Sequence, residues 1–137
     1  MKKEIIRSKK IGGSYSSTSV HGTAAGGFLF VTGQVANPPN SEPSKNPVGL
    51  VEFGTVEEQT VRVMENLKAI LEEAGTSFEN VVKRNVYMTH VGDFGKIYEI
   101  MGRYFPGPVA STGVITGLVP PSARVEVEVI AVIPGGK

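Results

Sequence analysis

Arg124-Val125-Glu126-Val127-Glu128-Val129-Ile130-Ala131-Val132-Ile133 is the stretch that decides the architecture. Its odd positions are all apolar, the period of a β-strand that lays one face on a core. The opposite face turns from charged at Arg124, Glu126 and Glu128 to apolar at Ile130 and Val132. A wholly solvated face seldom carries such an apolar end, so the pattern predicts partial burial outside the layer, with another subunit as the cover.

Upstream of this strand, Val109 to Thr116 predicts another, separated from it by a turn at Val119-Pro120-Pro121-Ser122. A helix is expected from about Asp93 to Tyr104. Phe94, Ile97, Met101 and Phe105 have helical spacing, Asp93 can cap, and Pro106-Gly107-Pro108 stops it. Val81 to Thr89 reads as a strand despite the polar run Lys83-Arg84-Asn85. Thr55-Val56-Glu57-Glu58 matches a capping box, and Val63, Leu67, Ile70, Leu71 and Ala74 fall on one face behind it. With Gly75 as the residue past the end, a helix from about Val56 to Ala74 follows. Phe28 to Thr32 is a short strand closed at Gly33, and the Ser, Thr and Gly-rich segment before it is an irregular strand or loop. Residues 36–50 carry four prolines, at 38, 39, 43 and 47, and predict a long surface loop.

The order is strands, helix, strand, helix, strands, with no βαβ series and no internal repeat. The fold class is therefore α+β: a mixed sheet with two amphipathic helices on one face, in a single domain spanning 1–137. The uncovered face predicts a closed homo-oligomer.

Composition narrows the function classes. The chain has 137 residues, 14 basic and 13 acidic, for a formal charge of +1. No global field favours nucleic acid or an anionic membrane. With no cysteine, disulfides, thiolate catalysis and cysteine-bound metals are excluded. No segment approaches the roughly 18 apolar residues of a membrane span, and the basic start lacks a secretory apolar stretch, so the expected compartment is the cytoplasm. The basic cluster Lys2, Lys3, Arg7, Lys9 and Lys10 reads as protection of an exposed edge strand rather than an RNA contact, because no aromatic residues interleave it.

Few residues can carry chemistry. Glu126 and Glu128 lie on one strand face, roughly 6.5 to 7 Å apart by strand rise. They are either an acid/base pair or a solvated or salt-bridged face alongside Arg124. His21 and His90 are the only histidines and neither has a second ligand at metal spacing, so no metal is expected. Gly33 either presents its backbone to a ligand or is a strand-end turn. Ser111 has no histidine partner that would make it a nucleophile. No nucleotide-binding glycine motif is present, and no cofactor is expected.

Several segments together resemble the Rid (reactive intermediate deaminase) family. They are Val31-Thr32-Gly33-Gln34-Val35 with a following Asn-Pro; Gln59 with Asn66 to Gly75; Val82-Lys83 with Val86-Tyr87; Asp93-Phe94 with Phe105; and Val125 to Ala131. The resemblance implies a chorismate-mutase-like subunit and a homotrimer whose sheets form a central barrel, with small-molecule clefts between subunits. It also implies hydrolysis of enamines and imines derived from amino acids. By motif match, Glu126 takes the place of the water-positioning glutamate and Gly33 that of the turn glycine facing the ligand.

The chain departs from the family pattern in the same region. Ser111 stands where the resemblance places a carboxylate-binding arginine, in Pro108-Val109-Ala110-Ser111-Thr112, and no Lys or Arg occurs from Tyr104 to Ala123. A hydroxyl cannot replace a bidentate guanidinium. Tyr98 stands at a position usually held by asparagine, and Tyr15 lies a few residues from the expected tyrosine. Two readings remain open. One is an enamine/imine hydrolase of altered specificity, with Glu126 as its catalytic residue and a pocket shaped by Gly33, Tyr98, Ser111 and Thr112. The other is a non-catalytic homotrimer that binds a small ligand or a protein. A ribonuclease or translation-inhibitor role lacks a basic stripe, and a chorismate mutase lacks the cations its dicarboxylate substrate needs.

Overall fold

The computed structural model describes residues 2–12, 20–39 and 52–135. Six strands and two helices follow in the order β1 (Glu4–Ile6), β2 (Gly22–Ala25), β3 (Phe28–Val31), α1 (Val56–Glu73), β4 (Val81–Met88), α2 (Phe94–Met101), β5 (Ala110–Ile115) and β6 (Val125–Val132). The strands form one mixed sheet in the order β1-β2-β3-β6-β4-β5. Only β4 and β5 run parallel; the other neighbours are antiparallel.

The periodicity of β6 explains its central place. Val125, Val127 and Ala131 are fully buried, and Val129 nearly so. The even positions Glu126, Glu128 and Ile130 are half-buried on the other face. Helix α1 supplies the opposing layer. Thr55 Oγ1 accepts from the Glu58 N–H (3.1 Å), and Glu58 Oε1 accepts from the Thr55 N–H (3.2 Å), which is the expected capping box. Val63, Leu67, Ile70 and Leu71 are fully buried against the sheet. Truncating one of them, Leu67→Ala for example, costs about 2–5 kcal/mol. The helix stops at Gly75, whose φ of +83° suits glycine.

Helix α2 differs from its expected form. A 3₁₀ turn covers Val91–Asp93, and the α-helix runs only from Phe94 to Met101. Asp93 does not cap it. Its backbone is already helical (φ −87°, ψ −11°), and its carboxylate is taken by Arg124, with Nε–Oδ2 at 3.0 Å and Nη2–Oδ1 at 2.7 Å. The inward face is Ile97, Ile100 and Met101; Phe94 is half-exposed and stacks on Tyr98 with ring centroids 4.4 Å apart.

The second face of the sheet, away from the helices, carries Phe28 and Phe30 on β3 beside Val132 and Ile130 on β6. Phe28, Phe30 and Val132 remain about two-fifths exposed. Strand β1, in the basic N-terminal segment, forms one edge of the sheet. Of the proline-rich 36–50 stretch, 36–39 is described and is not regular structure, and 40–50 lies outside the described residues, as does Tyr15. No helix among the described residues is long and apolar enough to cross a membrane.

Candidate functional site

Gly33 does not close a turn. After β3 the chain continues along β6, where Gln34 and Val127 exchange backbone hydrogen bonds of 2.9 and 3.1 Å. This places Gly33 under the side chain of Glu126. A Cβ at position 33 would meet the Glu126 carboxylate and lie 3.1 Å from its Cδ and 3.3 Å from its Cγ. The glycine is needed here for space, so that the carboxylate can lie flat on the backbone.

Glu126 is thereby withdrawn from water. Burial first, and the neighbouring Glu128 carboxylate second, push its carboxyl above its ordinary range. Glu128 has a different environment. Its Oε1 accepts from Asn85 Nδ2 (2.9 Å) and from the Tyr87 hydroxyl (2.7 Å), both on the adjacent β4. The Tyr87 phenol is raised by this bond, then by burial, then by the fields of Glu128 and Glu126. Two carboxylates in different environments are an arrangement suited to acid/base work. Arg124 does not pair with either carboxylate, because its guanidinium is engaged by Asp93.

Beside the pair, Phe30, Lys83, Asn85, Glu128 and Ile130 line a shallow cavity of about 170 Å³ on the open face. Lys83 Nζ donates to Thr112 Oγ1 (2.8 Å) at its rim. Gly33, Glu126 and Thr112 thus share the open face of the sheet.

Ser111 and Tyr98 lie on the other face. Ser111 is in register with Arg84 on β4 and its Oγ accepts from Arg84 Nε (2.9 Å). The Arg84 guanidinium carbon sits 4.6 Å from the Phe105 ring centroid and 5.4 Å from that of Tyr98. Tyr98 reaches the same strand, with its hydroxyl 3.0 Å from where a Cβ on Gly113 would stand. The five predicted site residues, Glu126 and the four expected to shape its pocket, therefore fall into two groups on opposite faces of the sheet.

Four polar partners escaped the sequence reading as site residues: Lys83, Arg84, Asn85 and Tyr87. The signal was present as a run of polar residues inside a strand, where each side chain must find a partner on one face or the other. Among the described residues no group of three His, Asp or Glu gathers as metal ligands.

The chain matches the family model described as Endoribonuclease L-PSP over residues 8–133. It is 38% identical over 135 residues to a RutC family protein of Pyrococcus abyssi, covering 96% of this chain and 98% of that protein. Identity to the 2-iminobutanoate/2-iminopropanoate deaminase of Rattus norvegicus is 35% over 105 residues, 76% of this chain and 72% of that one. A structure from the conserved Rid protein family of Yersinia pestis, 28% identical, superposes with a TM-score of 0.81 and covers 96% of this chain and all of that one. The sheet order with two helices on one face is the chorismate-mutase-like fold expected from the sequence. The matched residues include the carboxylate strand and the Ser111 strand alike, and the chain belongs to the Rid family.

Proposed function

We propose that this protein hydrolyses small imines or enamines derived from amino acids, releasing ammonia and a 2-oxo acid, with Glu126 as the group that handles the proton. The observation that carries this reading is the Glu126 carboxylate held against Gly33 with its pKa raised. A carboxylate whose pKa is moved toward neutrality is a better match for proton transfer at working pH. In the reaction, water adds to the carbon of the protonated imine while Glu126 takes one of its protons, giving a neutral carbinolamine. The carbinolamine then collapses: the proton passes from Glu126 to the departing nitrogen, the C–N bond breaks as the hydroxyl becomes the carbonyl, and the hydroxyl proton leaves with the ammonia as ammonium. Water is consumed once, and the carboxylate is regenerated. The name of the rat relative, a deaminase of 2-imino acids, supports the substrate class.

The site is assembled between subunits in this account. The open face bears an exposed apolar patch at Phe28, Phe30 and Val132 beside the carboxylates, a combination suited to covering by a second copy. A closed homotrimer supplies that cover and brings one copy's Glu126 toward another copy's β5 edge. The same carboxylates disfavour a phosphodiester substrate, since they repel an anionic backbone and the chain's net charge of +1 does not compensate.

The test is direct. With 2-iminobutanoate generated in place by an amino-acid oxidase, the protein accelerates formation of 2-oxobutanoate over the buffer rate, and Glu126→Gln loses about 100-fold or more of that acceleration. Equal rates with and without protein mean that it is a binding member of the family instead.

A further inference from the structure

The hydrolase reading leaves the substrate carboxylate without an obvious cation, because Ser111 occupies the strand position where the family resemblance places an arginine. We propose that Arg84 supplies it: the cation has moved one strand across, from β5 to β4, and Ser111 holds it in place. This rests on the hydrolase reading for the substrate's identity, but not for the binding itself.

Three contacts fix the guanidinium. Arg84 and Ser111 are direct neighbours on parallel strands, and Nε donates to the serine Oγ at 2.9 Å. The rings of Phe105 and Tyr98 pack on the guanidinium, with centroids at 4.6 and 5.4 Å. With Nε engaged, the two terminal nitrogens remain, and together they offer a carboxylate a pair of parallel donors.

No acidic side chain uses them among the described residues. The ion pairs there are Lys96–Glu99, Arg103–Glu99 and Arg124–Asp93. Of two arginines that could have served instead, Arg124 is committed to the largely buried Asp93, whereas Arg103 makes only an exposed pair with Glu99 at 3.6 Å and is not adjacent to Ser111 in register. Burial lowers the Arg84 pKa from its ordinary value, the mark of a cation partly stripped of water without a carboxylate in return. The neighbouring strand β5 is the sheet's outer edge and is exposed along its whole length, so a ligand can reach the pair.

Ser111 is then a positioning residue, and the specificity follows: the ligand carries a carboxylate next to the carbonyl or imine carbon. Pyruvate, a product-like 2-oxo acid, is the probe, with its primary amide as the uncharged counterpart. Titrated calorimetrically or by ligand-observed NMR, the wild-type protein binds pyruvate at least about 10-fold more tightly than the amide. Arg84→Gln weakens pyruvate binding by about 10- to 100-fold and leaves amide binding unchanged. Arg84→Lys recovers part of the loss.

Equal wild-type affinity for pyruvate and its amide overturns the proposal, whatever the variants do. So does a folded Arg84→Gln protein with wild-type pyruvate affinity. The two readings fail separately. If Arg84→Gln hydrolyses 2-imino acids with wild-type KM, Arg84 is excluded and the hydrolase stands. If pyruvate binds through Arg84 but no imine is hydrolysed, the carboxylate site stands and the hydrolase does not.

Discussion

The carboxylate of Glu126 rests on the backbone of Gly33, in the space where any other residue would place its Cβ. Gly33→Ala must therefore displace the side chain, because the strand backbone is fixed by the paired Gln34–Val127 hydrogen bonds. The expected cost is at most about 1 kcal/mol of stability, since the group that must move is the end of a flexible, half-buried side chain, together with a fall in imine turnover as the carboxylate leaves its position. In the Glu126→Ala background the same glycine substitution is nearly neutral for stability. A double-mutant cycle by thermal or urea denaturation measures this coupling, and additive effects would mean that the two residues do not contact.

Burial and the adjacent Glu128 raise the folded-state pKa of Glu126 above its unfolded value of about 4.3. Folding thus favours the protonated form. The stability linked to this group is complete below the ordinary carboxylate range and is lost as pH rises through the raised value. Glu126→Gln, close in shape to the protonated acid, should melt at a higher temperature than wild type at pH 8, with the gap closing toward pH 4. Scanning calorimetry at both pH values reads this out; a variant less stable than wild type at pH 8 contradicts the assigned environment.

How far these relations were legible depends on their range. The strand β6 and the helix α1 announced themselves through period two and through the Thr55–Glu58 capping box, both local patterns. The start of α2 did not, because whether Asp93 caps a helix or holds Arg124 is decided by a partner 31 positions away. Glu126 and Gly33 were each identifiable as site residues, but their contact depends on the segment after β3 lying along β6. Arg84 was visible only as a polar residue in a strand. Its pairing with Ser111 requires the parallel register of β4 and β5, which no local pattern in either segment specifies.

Gln59 joins three parts of the chain beneath the carboxylate strand. It is fully buried, its Nε2 donates to the carbonyls of Gly54 (3.0 Å) and Ser122 (3.1 Å), and its Oε1 accepts from the Arg124 N–H (2.8 Å). Gln59→Leu keeps the volume but leaves the Arg124 N–H facing a methyl group, at a cost of about 1–3 kcal/mol for that group alone. Melting temperature should fall accordingly. A drop within experimental error would show that the loop before β6 relaxes freely.

Glu126 and Arg84 lie on opposite faces of one sheet, so a site that uses both must draw them from two copies. Sedimentation at micromolar concentration should show a closed oligomer of three subunits, and Phe30→Glu on the open face should weaken it. Mixed oligomers prepared from Glu126→Gln and Arg84→Gln chains should regain part of the wild-type activity, since some clefts then contain neither substitution. Oligomers of the doubly substituted chain should not. A monomeric protein would remove the basis for a shared cleft.

The pH dependence of imine hydrolysis tests the role of Glu126 most directly. As the proton acceptor it must be ionised in the free enzyme, so kcat/KM for 2-iminobutanoate should fall on the acid side with a midpoint above the ordinary glutamate value of about 4.3. In Glu126→Gln that acid limb should vanish, along with about 100-fold of the rate. An acid limb unchanged in Glu126→Gln, at a rate close to wild type, would contradict the assignment of this carboxylate as the group that moves the proton.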